Sequence, residues 1–214
     1  MSAYQTLGQR GEVEFVDRKS RFLGHARPVS TEEEALAFLD EMRRAYRDAS
    51  HNCYAYTLGK NMGVMRYSDD GEPGGTAGLP MMEVIKQRKV CDCAVVVTRY
   101  FGGVLLGAGG LVRAYSHTTA LALTAARIVT MEESEQWLCE VPYTLWDPVQ
   151  HLLRGLPVQL LHTEFTAAVA FTLLVRKTDS PRVTVELQLL TNGRVEMLLE
   201  ETSFRAWEAE EQNA

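Results

Sequence analysis

The most constraining feature of the chain is the run from Tyr67 to Pro80, with three carboxylates in four positions (Asp69, Asp70, Glu72), four glycines (Gly71, Gly74, Gly75, Gly78) and two prolines (Pro73, Pro80). Glycine is entropically costly inside a helix or strand, and proline removes a backbone donor. No regular element is built from that mixture, so the run is expected to be a long shaped loop. Such loops inside compact domains often carry function. Neighbouring carboxylates repel one another unless a cation or a set of N–H donors meets them. Two readings follow: a solvated turn whose acids face water, or a surface that meets a cation, a basic partner or a substrate.

The 214 residues suffice for one large domain or two small ones. Four cysteines (Cys53, Cys91, Cys93, Cys139) follow neither a disulfide framework nor zinc-ligand spacing and read as buried free thiols. No signal peptide opens the chain and no apolar run reaches membrane-spanning length. A cytoplasmic protein with no membrane partner is expected. Residues 1–131 hold 16 Lys/Arg against 14 Asp/Glu, a balance of +2, and residues 132–214 hold 6 against 14, a balance of −8. The acidic half is a poor phosphate-backbone binder; the front half can be one if its arginines share a face.

Residues 1–11 read as a polar lead-in. Strands are expected at 11–15 and 20–28, flanking a basic turn whose Lys19 and Arg21 form a possible basic edge. A helix is expected over 31–45, opened by a capping box from Ser30 or Thr31. A strand over 50–58 places His51, Cys53 and Ala55 on one face and Tyr54 and Tyr56 on the other. After the acidic loop come a helix over 79–89 and a strand over 90–98, apolar on both faces in its second half and with Cys91 and Cys93 on the same side. A second glycine-rich stretch, 99–111, leads into a long helix over 111–129. The composition changes near 130–135, which sets expected domains at 1–131 and 132–207, with an acidic tail at 208–214. The second domain parses as strand 137–143, helix 147–156, strands 158–163 and 166–175, helix 180–191 and strand 195–203. Asp147-Pro148 and Ser180-Pro181 serve as helix starts and Asn192-Gly193 as a stop. This β-α-β-β-α-β order is the ferredoxin-like pattern.

Chemistry can gather at a few places. Gly107, Gly109 and Gly110 lie where unpaired N–H groups and the helix dipole receive anions, with Arg99 and Arg113 as flanking charges. The stretch lacks the lysine of a nucleotide-binding P-loop. The three acids can hold a hard cation such as magnesium, organise the loop by accepting backbone N–H groups, or pair with Arg99 or Arg113. His51 near Cys53 allows either a nucleophile pair or a packed histidine beside an inert thiol. His117 follows Arg113 by one helical turn. Tyr54, Tyr56, Tyr67, Tyr100 and Phe101 are candidates for base stacking, and the three tryptophans read as core or interdomain contacts.

The run Tyr67–Pro80 resembles the signature of the Impact family, in bacteria the YigZ group. A second block, 97–103 continued by 106–115, is similar to that family's second motif, with weaker matches at 19–22 and 51–56. The resemblance implies a ribosomal protein S5 domain 2-like front domain followed by a ferredoxin-like one, as in domains IV and V of elongation factor G. It also implies a role near translation. The expected surface comprises Asp69, Asp70, Glu72, Thr76, Arg99, Tyr100, Gly107, Gly109, Gly110 and Arg113, with Lys19, Arg21, His51, Tyr54, Tyr56, Tyr67 and His117 around it. Three functions are expected in this order: a non-enzymatic RNA- or ribosome-binding factor, a protein-binding regulatory module, and a metal-dependent enzyme acting on a phosphorylated small molecule. All three rest on the two glycine-studded turns meeting in space.

Overall fold

A computed structural model describes residues 3–207; the acidic tail at 208–214 lies outside the described residues. The elements run β1 (Ala3–Leu7), β2 (Gly11–Asp17), β3 (Ser20–Pro28), α1 (Glu32–Ala45), β4 (His51–Leu58), β5 (Val64–Ser68), α2 (Gly78–Gln87), β6 (Cys93–Tyr100), α3 (Gly107–Ala125), β7 (Ile128–Val141), α4 (Tyr143–Leu153), β8 (Val158–Phe165), β9 (Val169–Arg176), α5 (Ser180–Thr191) and β10 (Glu196–Trp207). They form two α+β units, one of residues 4–130, the other of residue 3 and 131–207.

The first unit is built on the antiparallel order β2-β3-β6-β4-β5. β6 is buried along both faces. Cys93, Val95 and Val97 enter the core shared with Met81 and Ile85 of α2 and Leu111, Ala114 and Tyr115 of α3. Ala94 and Val96 face the opposite core, with Phe38, Leu39 and Met42 of α1. This two-sided burial explains why the strand reads as a continuous apolar run. Helix α1 starts as its sequence says: Glu34 N–H donates to Thr31 Oγ1 and the Glu34 carboxylate accepts from Ser30 N. In the second unit β8-β9-β7 is antiparallel, and β10 also pairs with β7. Its core joins Val141, Phe171 and Leu173 to Trp146 and Val149 of α4 and Val183 and Leu187 of α5.

Several expectations need correction. The polar lead-in contains β1. Tyr67 and Ser68 belong to β5, an exposed edge strand too short and mixed to show a period. Cys91 and Cys93 do not alternate along one strand, because Asp92 has φ +53 and β6 starts only at Cys93. β7 begins at Ile128, so the acidic stretch is strand; Glu132 and Glu133 are met by Arg176 and Lys177 at 3.1 and 2.8 Å. α4 begins after Pro142 and carries Pro148 in its interior, where the ring removes one helical hydrogen bond. Most consequential for the site, α3 begins at Gly107: the glycine run is the first turn of the helix, not a loop before it.

Candidate functional site

The acidic loop is organised from within. Asp69 accepts from the backbone N–H groups of Gly75, Ala77 and Gly78 at 2.8, 3.0 and 2.8 Å. Its carboxylate thus occupies the positive start of α2. Gly78 must be glycine, since a Cβ there would lie 2.8 Å from the Ser68 backbone. Asp70, at φ +45, accepts from Asn52 N at 2.6 Å and ties the loop to β4. Thr76 is buried and donates to the Pro73 carbonyl at 2.6 Å.

Glu72 goes inward. Only 7% exposed, it accepts at Oε1 from Arg99 Nη1 at 2.7 Å and from Tyr115 OH at 2.8 Å. Arg99 is equally buried; its Nη2 reaches Ser20 Oγ at 3.4 Å, and its guanidinium lies 5.5 Å from the ring centres of both Phe22 and Phe101. Two buried charges of this kind depend on each other. The three acids therefore address three separate partners rather than one cation. No group of three or more His, Cys, Asp or Glu side chains suited to a metal occurs among the described residues.

Cys53 is fully buried, with its sulfur 3.0 Å from the Asp69 carbonyl and 3.4 Å from Tyr115 OH. Its single proton serves one of them at a time. Burial pushes this thiol far up, and burial followed by the neighbouring Cys53 does the same to the Tyr115 phenol. A nucleophilic thiol needs access and a lowered pKa, so of the two sequence readings the inert thiol is the one the geometry supports.

The two glycine-rich segments line one cleft of about 490 Å³. Gly71, Glu72 and Pro73 come from the first, and Leu106, Gly107 and Ala108 from the second; His51, Arg99, Phe101 and Leu105 are among the other residues that line it. His51 Nδ1 is 2.8 Å from the Asp70 carbonyl, and its Nε2 is 3.9 Å from Glu72 Oε2. Gly107 and Gly109 are exposed, whereas Gly110 is buried against Leu106.

Arg113 is not part of that cleft. It lines a separate groove of about 770 Å³ with Arg88, His117, Phe15 and Asp17. The His117 ring meets Phe15 edge-on at 4.7 Å. Arg99 and Arg113 therefore do not flank one anion site, and Arg99 presents no charge to solvent. Lys19, at φ +68, is exposed at the β2–β3 turn. Arg21 pairs with Glu14 at 2.8 Å and lies over the Tyr100 ring, whose hydroxyl donates to Asp48. Tyr54 and Tyr56 stack on each other 6.1 Å apart and pack with the α1 core, away from both glycine segments. Tyr67 is exposed on β5.

Sequence reasoning did not single out Tyr115, Ser20 or Arg88 as site residues. Tyr115 carried one signal, a polar aromatic on a buried helical stripe whose other members are Gly, Leu, Ala and Thr. Arg88 has none, because it reaches the groove from the end of a different helix.

Comparison with known proteins agrees with this architecture. Residues 18–123 match the Impact N-terminal domain and residues 139–194 match a domain of unknown function, DUF1949. The IMPACT family member YvyE of Bacillus subtilis is 38% identical over 194 residues, covering 91% of this chain and 89% of that protein. IMPACT family member YigZ of Escherichia coli is 29% identical, covering 85% of this chain and 90% of its own length. A crystal structure described as that of a hypothetical protein superposes with a TM-score of 0.60 at 28% identity, covering 94% of this chain and 98% of that one. With both halves matched in the same order, and a relative of more than a third identity aligned along almost its whole length, this chain belongs to the IMPACT family.

Proposed function

We propose that this protein is a non-enzymatic factor that binds RNA or a ribosomal surface through the groove between α2 and α3. The observation that carries the reading is the pairing state of its arginines. Arg88 and Arg113 both line the groove, are exposed, and have no ion-pair partner among the described residues. Arg10, Arg21 and Arg99, by contrast, are each held by a glutamate. Unpaired guanidinium groups beside an aromatic floor offer a phosphate backbone charge and a base a stacking partner. A single-stranded RNA titrated by anisotropy at low and moderate salt tests this. The Arg88→Ala and Arg113→Ala variants are expected to weaken binding and each to reduce the salt slope by about 0.7 to 0.9. Arg21→Ala, outside the groove, serves as the control. No retention of RNA or ribosomes at low salt removes the reading.

A second reading, docking of a protein partner, is favoured by the loop after β6, where Phe101, Val104 and Leu105 are 49%, 41% and 81% exposed. It calls for a pull-down that survives nuclease treatment and fails with Leu105→Ser. We further infer an S5 domain 2-like first unit and a ferredoxin-like second one, with the boundary near residue 131. The alternation of strands and helices after β7 and the order β10-β7-β9-β8 support the ferredoxin-like reading. Four free cysteines support a cytoplasmic setting.

A further inference from the structure

In the cleft between the two glycine-rich segments a histidine nitrogen faces a carboxylate oxygen. His51 Nδ1 lies 2.8 Å from the carbonyl oxygen of Asp70, which only accepts, so Nδ1 carries the hydrogen. In the neutral ring Nε2 is then the acceptor nitrogen, and it stands 3.9 Å from Glu72 Oε2. Oε1 of the same carboxylate is already engaged by Arg99 and Tyr115, whereas Oε2 has no hydrogen bond among the described residues. The Glu72 side chain is 3% exposed, and what exposure it has is to the cleft. That leaves Oε2 as the face of the carboxylate open to a donor entering the cleft. One tetrahedral nitrogen can approach both acceptors at about 2.9 Å each, which a hydroxyl with its single hydrogen cannot satisfy.

The cleft has a second polar end. Gly107 and Ala108, in the first turn of α3, line it, and no side chain caps that turn. The first N–H groups of a helix lack intrahelical partners and sit at its positive end. A Cβ on Gly107 or Gly109 would meet nothing within 4 Å, so the backbone there is open to close approach. Phe101 and Leu105 supply apolar wall. A simple anion would be repelled by Glu72, and a simple amine would leave the helix start unmet.

We propose that this cleft is a binding site for a small zwitterion. Its ammonium group lies between Glu72 Oε2 and His51 Nε2, its carboxylate or phosphate lies on the first turn of α3, and its apolar part rests on Phe101 and Leu105. The site is separate from the Arg88/Arg113 groove, so RNA binding and zwitterion binding stand or fall independently.

The test titrates L-phenylalanine and phosphoethanolamine at up to about 10 mM, by calorimetry and by thermal shift. N-acetyl-L-phenylalanine, which lacks the ammonium, and phenethylamine, which lacks the anion, are the controls. At least one zwitterion is expected to bind and to raise the melting temperature, and which one does so distinguishes a carboxylate from a phosphate ligand. Both controls are expected to bind at least about tenfold more weakly. Ala108→Leu narrows the helix end of the cleft from an exposed position, so it keeps the fold, checked by circular dichroism, and loses binding. Glu72→Gln is a second variant expected to weaken the ammonium contact. Failure of both zwitterions to bind, equal binding by the N-acetyl control, or undiminished binding by folded Ala108→Leu overturns the proposal.

Discussion

Replacing Asp69 with alanine removes the acceptor of three backbone N–H groups at once. Two of them, on Ala77 and Gly78, belong to buried residues at the start of α2, and the third, on Gly75, is exposed and can turn to water. A lost helix cap costs about 1 kcal/mol, and each buried donor left without a partner costs about 1–3 kcal/mol. Counting two buried donors, the expected loss is about 2–6 kcal/mol, part of it recovered by relaxation of the loop. At about 2–4 °C per kcal/mol for a chain of this size, that corresponds to a fall of about 10 °C in the melting temperature of the first unit. The choice of probe follows from the sequence. All three tryptophans, Trp137, Trp146 and Trp207, lie in the second unit, so tryptophan fluorescence does not report on the site. Amide exchange in α2 and β4, together with far-UV circular dichroism, does. Asp69→Asn, which keeps one carbonyl acceptor, is expected to fall between wild type and alanine. A melting temperature for Asp69→Ala within about 1 °C of wild type, with unchanged exchange at Ala77 and Gly78, would show that water already serves those donors and that the carboxylate does not organise the loop.

Removing one member of the buried pair, by Arg99→Ala, strands the Glu72 carboxylate and is expected to cost about 3–5 kcal/mol in urea unfolding. The double variant Arg99→Met with Glu72→Leu should recover a good part of that, and a cost under about 1 kcal/mol for Arg99→Ala alone contradicts the burial argument. The thiols give a pH dependence of definite sign. Burial pushes Cys93 and Cys139 up to about 12 in the folded chain. The unfolded chain releases those protons first, so their contribution is fully present below the ordinary thiol pKa of about 8.5 and is lost as pH rises toward the folded values. Each buried thiol is expected to steepen the fall by about 1.4 kcal/mol per pH unit in that window. Cys93→Ala should flatten the profile above pH ~9, and an unchanged profile refutes the assignment. The same burial predicts slow alkylation of Cys53 in the native protein and fast alkylation in urea.

The readable part of the fold was local. The capping box at Ser30–Glu34, the two-sided apolar run of β6, the split faces of β4 and the Asn192-Gly193 stop each rest on a few neighbouring residues, and each appears in the structure. β5 and the early start of β7 were not legible, because an exposed edge strand has no apolar period and because acids in a strand look like a linker until Arg176 and Lys177 are placed beside them. The beginning of α3 was missed for a related reason. Glycine is a poor helix former, yet four N-terminal residues of a long helix packed against β2 and β3 are carried by the rest of it.

The sequence by itself determined the family, the existence of two glycine-studded segments and the chemical types that crowd into them, since these depend on composition and spacing along the chain. Only the tertiary structure decided what those types do. Sequence order puts Asp69, Asp70 and Glu72 side by side as like charges, while the fold sends them to a helix start, to β4 and to Arg99 respectively. It also separates Arg99 from Arg113 and brings His51 to Glu72 across 21 positions of chain. The physical reason is that a carboxylate's role is set by the donors within about 3 Å of it, and for buried groups those donors come from elements that pair far apart in sequence.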